Sequence, residues 1–315
     1  MEILKSDGTP LISVVLPVYN AERTIAEAID SILNQSYTNF ELIIFNDGSS
    51  DSSDRIIRSY SDRRIRYVVN ESNKGLIYTL NEGIKMSHGK YIARMDADDI
   101  SFPERFMKQI AILENNPNVI VCGTLIEYFG EELKCISPLF PCTSNENKER
   151  LLLEVCFAHP TVMIRHSIFG DFNILYNENY VSSEDYKLWI DISDCGDFYN
   201  IQEKLLKYRV SNSQISNRAK PNQIKNSVKC RREYLRKILG EDIDLPLQIN
   251  FSTIHRMRRY AGRNKYLLPI LYMSLDKYNI VSFLLFLVSL DWLDFELSLN
   301  MRILARFFIR KSSLL

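Results

Sequence analysis

The sequence predicts an α/β protein whose core is an open, mostly parallel sheet flanked by helices. Three observations predict it. Apolar, β-branched runs alternate with segments of helical period, the signature of repeated strand–helix units. Those runs are apolar on successive residues, as strands covered on both faces are. Polar, turn-forming stretches follow them at the strand carboxyl ends, where sheets of this kind bind ligands.

In order along the chain, Leu11-Ile12-Ser13-Val14-Val15-Leu16-Pro17 is the first strand, ended by Pro17. Asn20 is placed to cap a helix from Ala21 to Leu33, because Ile25, Ala28, Ile29, Ile32 and Leu33 recur at helical spacing. Glu41-Leu42-Ile43-Ile44-Phe45 is the second strand, and it runs into the turn-rich Asn46-Asp47-Gly48-Ser49-Ser50-Asp51 and a helix over roughly Ser52 to Tyr60. Arg66-Tyr67-Val68-Val69 is the third strand, followed by a helix near Leu76 to Met86. Lys90-Tyr91-Ile92-Ala93 is the fourth, and it ends in Arg94-Met95-Asp96-Ala97-Asp98-Asp99. Pro17 to Asn20, Asn46 to Asp51, Asn70 to Gly75 and Asp96 to Asp99 therefore converge on one crevice.

Three carboxylates within four residues call for a counter-charge. A divalent cation that shares its sphere with phosphates suits them, since hard cations take oxygen ligands. The plainer alternative is a solvent-facing turn, with Asp99 starting the helix that follows Phe102-Pro103-Glu104. Arg94 is set to pair with one of these acids or with a phosphate. No Gly-rich turn of the dinucleotide or P-loop type follows an early strand, so cradling of phosphate by backbone amides is not the device here.

Ser13-Val14-Val15-Leu16-Pro17-Val18-Tyr19-Asn20, Asn46 to Asp51, Asn73-Lys74-Gly75, Asp96-Ala97-Asp98-Asp99 and Ser183-Glu184-Asp185 together resemble the family 2 glycosyltransferases, over about residues 10 to 215. The resemblance implies a GT-A, Rossmann-like sheet that binds a UDP-sugar with Mn²⁺ or Mg²⁺. It implies that Asp47 accepts a hydrogen bond from the uracil, with Pro17, Val18 and Tyr19 as floor and edge of the base pocket. Lys74, Arg94, Asp96 and Ala97 join the nucleotide-sugar site, Asp96 at the ribose. By the same resemblance Asp98 would ligate the metal, with Asp96 beside it and Asp99 helping. Asp185 would be the general base that takes the acceptor hydroxyl's proton, so that displacement of UDP would invert the anomeric centre. Its sequence context is the first turn of a helix capped by Ser182 or Ser183, where the dipole favours a carboxylate. His159 is weighed as a residue near the acceptor or, more simply, a structural hydrogen-bonder. The chain departs from the family at two places. Asn46 replaces a usual aspartate, and Ser211, after Tyr208-Arg209-Val210, stands where relatives carry a histidine that completes the metal shell.

The 315 residues carry a formal net charge of zero that hides an asymmetry. Residues 201–315 hold 21 Lys and Arg against 9 Asp and Glu, and residues 1–200 hold 18 against 30. This separates a catalytic domain, 1–215, with a nucleotide-sugar part (about 10–125) and an acceptor part (about 126–215), from a basic helical region, 216–315. The run Ile280 to Leu290 is too short to span a membrane. Phe295 to Lys311 interleaves apolar and basic residues in a pattern suited to a membrane surface, or to packing in a bundle or homodimer. No nucleic-acid motif accompanies the charge. Six cysteines lack metal or redox spacing and no secretory signal opens the chain, which reads as reduced thiols in the cytoplasm. The expectation is a metal-dependent, inverting glycosyltransferase at the inner face of the cytoplasmic membrane, acting on a lipid-linked oligosaccharide for surface polysaccharide. The alternatives are a nucleotidyltransferase and an inactive sugar-nucleotide-binding scaffold.

Overall fold

The structure is a computed structural model and describes residues 11–130, 138–210 and 220–239. Its strands are β1 (Ile12–Val18), β2 (Phe40–Asn46), β3 (Ile65–Val69), β4 (Tyr91–Arg94), β5 (Ile100–Ser101), β6 (Val119–Gly130), β7 (Met163–Arg165) and β8 (Asp197–Val210). The helices used below are α1 (Ile25–Leu33), α2 (Ser53–Arg58), α3 (Leu76–Met86), α4 (Arg105–Asn115), α5 (Ser144–Arg150), α6 (Ser167–Asp171) and α7 (Glu184–Ile192).

One sheet runs in the order β3-β2-β1-β4-β7-β6-β8-β5. Its first half is parallel throughout, β3 to β2, β2 to β1 and β1 to β4. The second half is mixed: β7 runs against β4 and β6, β6 and β8 are parallel, and β5 runs against β8. All seven residues of β1 are buried, as a strand covered by helices on both faces must be, and each large apolar side chain contributes about 1.5–3 kcal/mol of transfer free energy. Ile25, Ala28, Ile29 and Ile32 form the buried face of α1. Register then places the crevice. Val18 lies beside Asn46 and Asn46 beside Val69, while Arg94 pairs with Val15, so the acidic run leaves the sheet level with the end of β1.

Two local expectations need correction. Asn20 does not cap a helix: α1 begins four residues later than Ala21, because Asn20 is in the left-handed region (φ 49°) and its side chain bonds to the loop after β2. Asp99 does not start α4 either; it is buried, and α4 begins at Arg105.

Two compact units divide the chain, Met1–Arg150 with Val155–Ser227, and Leu151–Glu154 with Val228–Leu315. In the second unit Leu151, Leu152, Cys230, Tyr234 and Leu235 are buried. The helix Lys220–Leu239 is strongly basic. Among the described residues no helix is long and apolar enough to cross a membrane, and Cys122, Cys142 and Cys156 are free thiols. Ser211, Ile280 to Leu290 and Phe295 to Lys311 lie outside the described residues.

Candidate active site

The strand ends of β1 and β2 form the first wall. Asp47 is buried, and its N–H donates to the carbonyl of Val18 (2.8 Å). Its Oδ1 accepts from Asn70 Nδ2 (2.7 Å) and the Lys74 N–H (2.9 Å), and its Oδ2 accepts from the Gly75 N–H (2.8 Å). A carboxylate has about four acceptor positions, so one remains for a further donor. Gly48 makes this closure possible. It has φ +70°, and a Cβ there would meet the backbone of Ser72 at 2.6 Å. Pro17 and Val18 are buried and Tyr19 is 52% exposed. The Lys74 ammonium lies over the Tyr78 ring, 5.0 Å from its centroid, so Lys74 serves this wall through its backbone.

The end of β4 is built from charge. Arg94 is buried and forms an ion pair with Asp96 through both terminal nitrogens, while its Nε has no hydrogen-bond partner. Asp96, Asp98 and Asp99 each offer an oxygen within 4.8 Å of the others. Ala97 between them packs against the core. Burial first, and the charge of Asp96 second, push the Asp98 carboxyl up to about 6 and the Asp99 carboxyl well above the usual range. Asp99 Oδ1 accepts the Arg209 N–H (2.9 Å), but its Oδ2 is buried without a partner. Three carboxylates held together against burial, one with an orphaned oxygen, fit a hard divalent cation.

The second wall, which begins at the end of β4, is completed by the start of α7. Asp185 lies in its first turn, as the sequence predicts, and Ser183 holds the cap position, though its hydroxyl donates to the Ser182 carbonyl (2.8 Å). Burial raises the Asp185 carboxyl, opposed by the N–H of Tyr186 and by Arg94, and the charge of Asp96 adds to the rise. Glu184, buried next to it, is pushed up to about 7 by burial and then by Asp185. Arg94 thus acts on the acidic run and on the Glu184–Asp185 pair alike. His159 is the structural bonder of the two readings: it is buried, 2.7 Å from the Tyr176 hydroxyl, and burial together with Arg94 keeps it neutral.

Sequence reasoning missed the supports. Arg209 Nε donates to the Asp98 carbonyl (2.8 Å) and its terminal nitrogen pairs with Glu27, so β8 clamps the acidic run from the side. β5 brings the two segments together by pairing Ile100 with Lys207. Beneath the run, fully buried Arg105 donates to the Arg94 carbonyl (2.7 Å) and to Gln109 Oε1 (3.2 Å). Gln109 Nε2 in turn reaches the carbonyls of Cys122 (2.6 Å) and Thr161 (2.8 Å). The signal was available: Arg105 and Gln109 share the helical face of Phe106, Ile110 and Leu113, where a polar residue must find partners.

This arrangement defines an α/β enzyme with a carboxylate-lined crevice at its parallel strand ends. The family model for "Glycosyl transferase family 2" matches residues 13–172. A glycosyltransferase of Haemophilus influenzae, itself uncharacterized, is 35% identical over 320 residues, covering 97% of this chain and 98% of that one. Among solved structures, TarS of S. aureus (residues 1–349, in complex with UDP) matches with a TM-score of 0.58 at 17% identity, covering 84% of this chain and 81% of that one. The mannosyltransferase PcManGT of Pyrobaculum calidifontis, in complex with GDP-Man and Mn²⁺, matches with a TM-score of 0.52 at 15% identity, over 89% and 79% of the two chains. The fold is therefore that of the GT-A enzymes. The chain belongs to glycosyl transferase family 2, and it is a glycosyltransferase.

Proposed function

We propose that this glycosyltransferase moves a sugar from a UDP-sugar to an acceptor hydroxyl with inversion, with Asp185 as general base. The carrying observation is that the acidic run of β4 and the Asp185 turn of α7 lie in one electrostatic neighbourhood around buried Arg94. Pro17, Val18 and Tyr19 would border the uracil, and the open acceptor position on Asp47 would read its ring N–H. Asp96 would contact the ribose. Asp98, with Asp96 and Asp99, would hold Mn²⁺ or Mg²⁺, whose chemistry when bound is to neutralise charge on the leaving diphosphate.

Asp185 takes the proton of the acceptor hydroxyl as that oxygen bonds to the anomeric carbon and the bond from that carbon to the diphosphate breaks, releasing UDP. A carboxyl raised by burial is a stronger base than an exposed one, and a positioned base contributes about 10²–10⁴-fold. Neighbours bound to UDP and to GDP-Man support a nucleotide-sugar donor. The basic excess of residues 201–315 supports an acceptor on a lipid-linked saccharide at the anionic inner face of the cytoplasmic membrane.

The test screens UDP- and GDP-sugars for Mn²⁺-dependent stabilisation and transfer, with Asp185→Asn and Asp98→Asn alongside. Asp185→Asn should bind UDP with Mn²⁺ as wild type does and lose about 10²-fold or more in turnover. Asp98→Asn should lose the Mn²⁺ response. Stabilisation by GDP alone would overturn the uracil assignment, and full turnover by Asp185→Asn would remove it as the base.

A further inference from the structure

The segment Asn46–Ser53 carries more polar side chains than donor recognition employs, and five hydrogen bonds, three of them to the side chains of Ser49, Asp51 and Ser53, tie it to the loop after β1. The Asn20 N–H donates to Ser49 Oγ (3.0 Å), and the Ser50 N–H donates to Asn20 Oδ1 (2.8 Å). One residue on, the Ala21 N–H donates to Ser53 Oγ (2.9 Å). The Glu22 N–H then donates to Asp51 Oδ2 (2.9 Å), and the Ser52 N–H to Glu22 Oε2 (2.9 Å). Every one of these bonds joins residues 20–22, just past β1, to residues 49–53, just past β2.

At the centre of this latch Asn20 holds a backbone conformation, φ 49°, that most non-glycine residues disfavour and that asparagine tolerates best. A left-handed residue turns the chain sharply. The direction in which the preceding residue leaves the sheet then depends on that turn being held. The preceding residue is Tyr19, half-exposed at the carboxyl end of β1, next to the Val18 carbonyl that accepts from Asp47.

We propose that Asn20, latched by Ser49 and Ser50, is a positioning residue that sets Tyr19 as a wall of the nucleotide-base pocket. The serines after Asp47 then shape the pocket without touching the donor. This rests on the reading that Pro17, Val18 and Tyr19 line the base site.

Three substitutions separate conformation from latch. Asn20→Asp keeps both the acceptor oxygen and the tolerance of positive φ, Asn20→Gly keeps only the backbone freedom, and Asn20→Ala loses both. UDP binding in the presence of Mn²⁺, read by calorimetry, should weaken about tenfold in Asn20→Ala, stay within about twofold in Asn20→Asp and fall between in Asn20→Gly, a tenfold loss being about 1.4 kcal/mol. Binding of Mn²⁺ alone should not change, which a general loss of folding would not allow. Tyr19→Ala should lose at least as much UDP affinity as Asn20→Ala. Should Asn20→Ala not fold, Ser49→Ala removes the acceptor of the Asn20 N–H and should weaken UDP binding in the same direction.

Wild-type affinity in Asn20→Ala, or in Tyr19→Ala while Asn20→Ala is impaired, overturns the positioning role and leaves the donor-site reading standing. Failure of the wild-type protein to bind UDP overturns both.

Discussion

The two walls of the crevice are held by different physics. At the ends of β1 and β2, almost every polar atom has a partner: Asp47 accepts three hydrogen bonds, and five more tie the two loops together. At the end of β4 and the start of α7, five acidic groups share one buried arginine, and Asp99 Oδ2 and Arg94 Nε have no partner. The first wall has its framework in place, with one acceptor position of Asp47 open. The second gathers more acidic groups than Arg94 alone can balance, an excess that the cation of the proposed function would offset.

Removing the centre of the first wall should have the largest effect on stability. Asp47→Ala leaves the Lys74 and Gly75 N–H groups and the Asn70 amide without their acceptor. Hydrogen bonds to a charged group are worth about 1.5–3 kcal/mol each where water cannot replace them, and water reaches part of this loop, so the net loss should be about 3 kcal/mol. Chemical denaturation measures it. A loss below about 0.5 kcal/mol would mean that the loop holds itself and that the first wall is not built on Asp47.

The contrast also explains what could be read in advance. The parallel half was legible because β1, β2 and β4 are continuous apolar runs, and their ends carry residues with recognisable chemistry. Motif context proposes roles for Asp98 and Asp185, and both carboxyls feel the charge of buried Arg94. Tertiary partners could not be named. Nothing local says that Arg209 clamps Asp98 and Asp99 from over a hundred residues away, or that Arg105 supports Arg94 from beneath. The mixed half was hidden for a related reason. β7 has three residues, β5 has two, and such strands exist only through their neighbours. Asn20 misled because a polar residue before a helical run reads as a cap, whereas its conformation is set by a loop thirty residues on.

The second wall should show its tension as pH dependence. Glu184, ordinarily near 4.5, is pushed up to about 7, and Asp98 to about 6 from 3.8. Between the ordinary and the raised values the folded, metal-free protein keeps protons that the unfolded chain has released. These groups therefore favour the fold most below that window, and their contribution falls as pH rises through it. Glu184→Gln should make the decline in unfolding free energy between about pH 5 and about pH 7.5 shallower, since a tenfold difference in proton affinity between the folded and unfolded chains corresponds to about 1.4 kcal/mol. An unchanged slope would show that Glu184 is not protonated in this range.

The smallest effect should come from restoring the family's usual residue at the first wall. Asn46 Nδ2 donates to the Tyr67 hydroxyl (2.8 Å), Asn46 Oδ1 accepts the Ser49 N–H (2.9 Å), and the Tyr67 hydroxyl donates its one proton to Asp54 (2.7 Å). Burial, with Asp54 nearby, pushes the Tyr67 phenol up to about 12, so it has no second charge state to offer. In Asn46→Asp that single proton would face two carboxylates, and one must go without. The cost should be about 1 kcal/mol in unfolding free energy, with UDP affinity unchanged, because the Asn46 side chain directs its bonds at Ser49 and Tyr67, whereas the proposed base contact belongs to Asp47. Measured in a Tyr67→Phe background, Asn46→Asp should cost much less, since no proton is then contested. If Asn46→Asp instead strengthened UDP binding, position 46 would belong to the ligand and not to the frame.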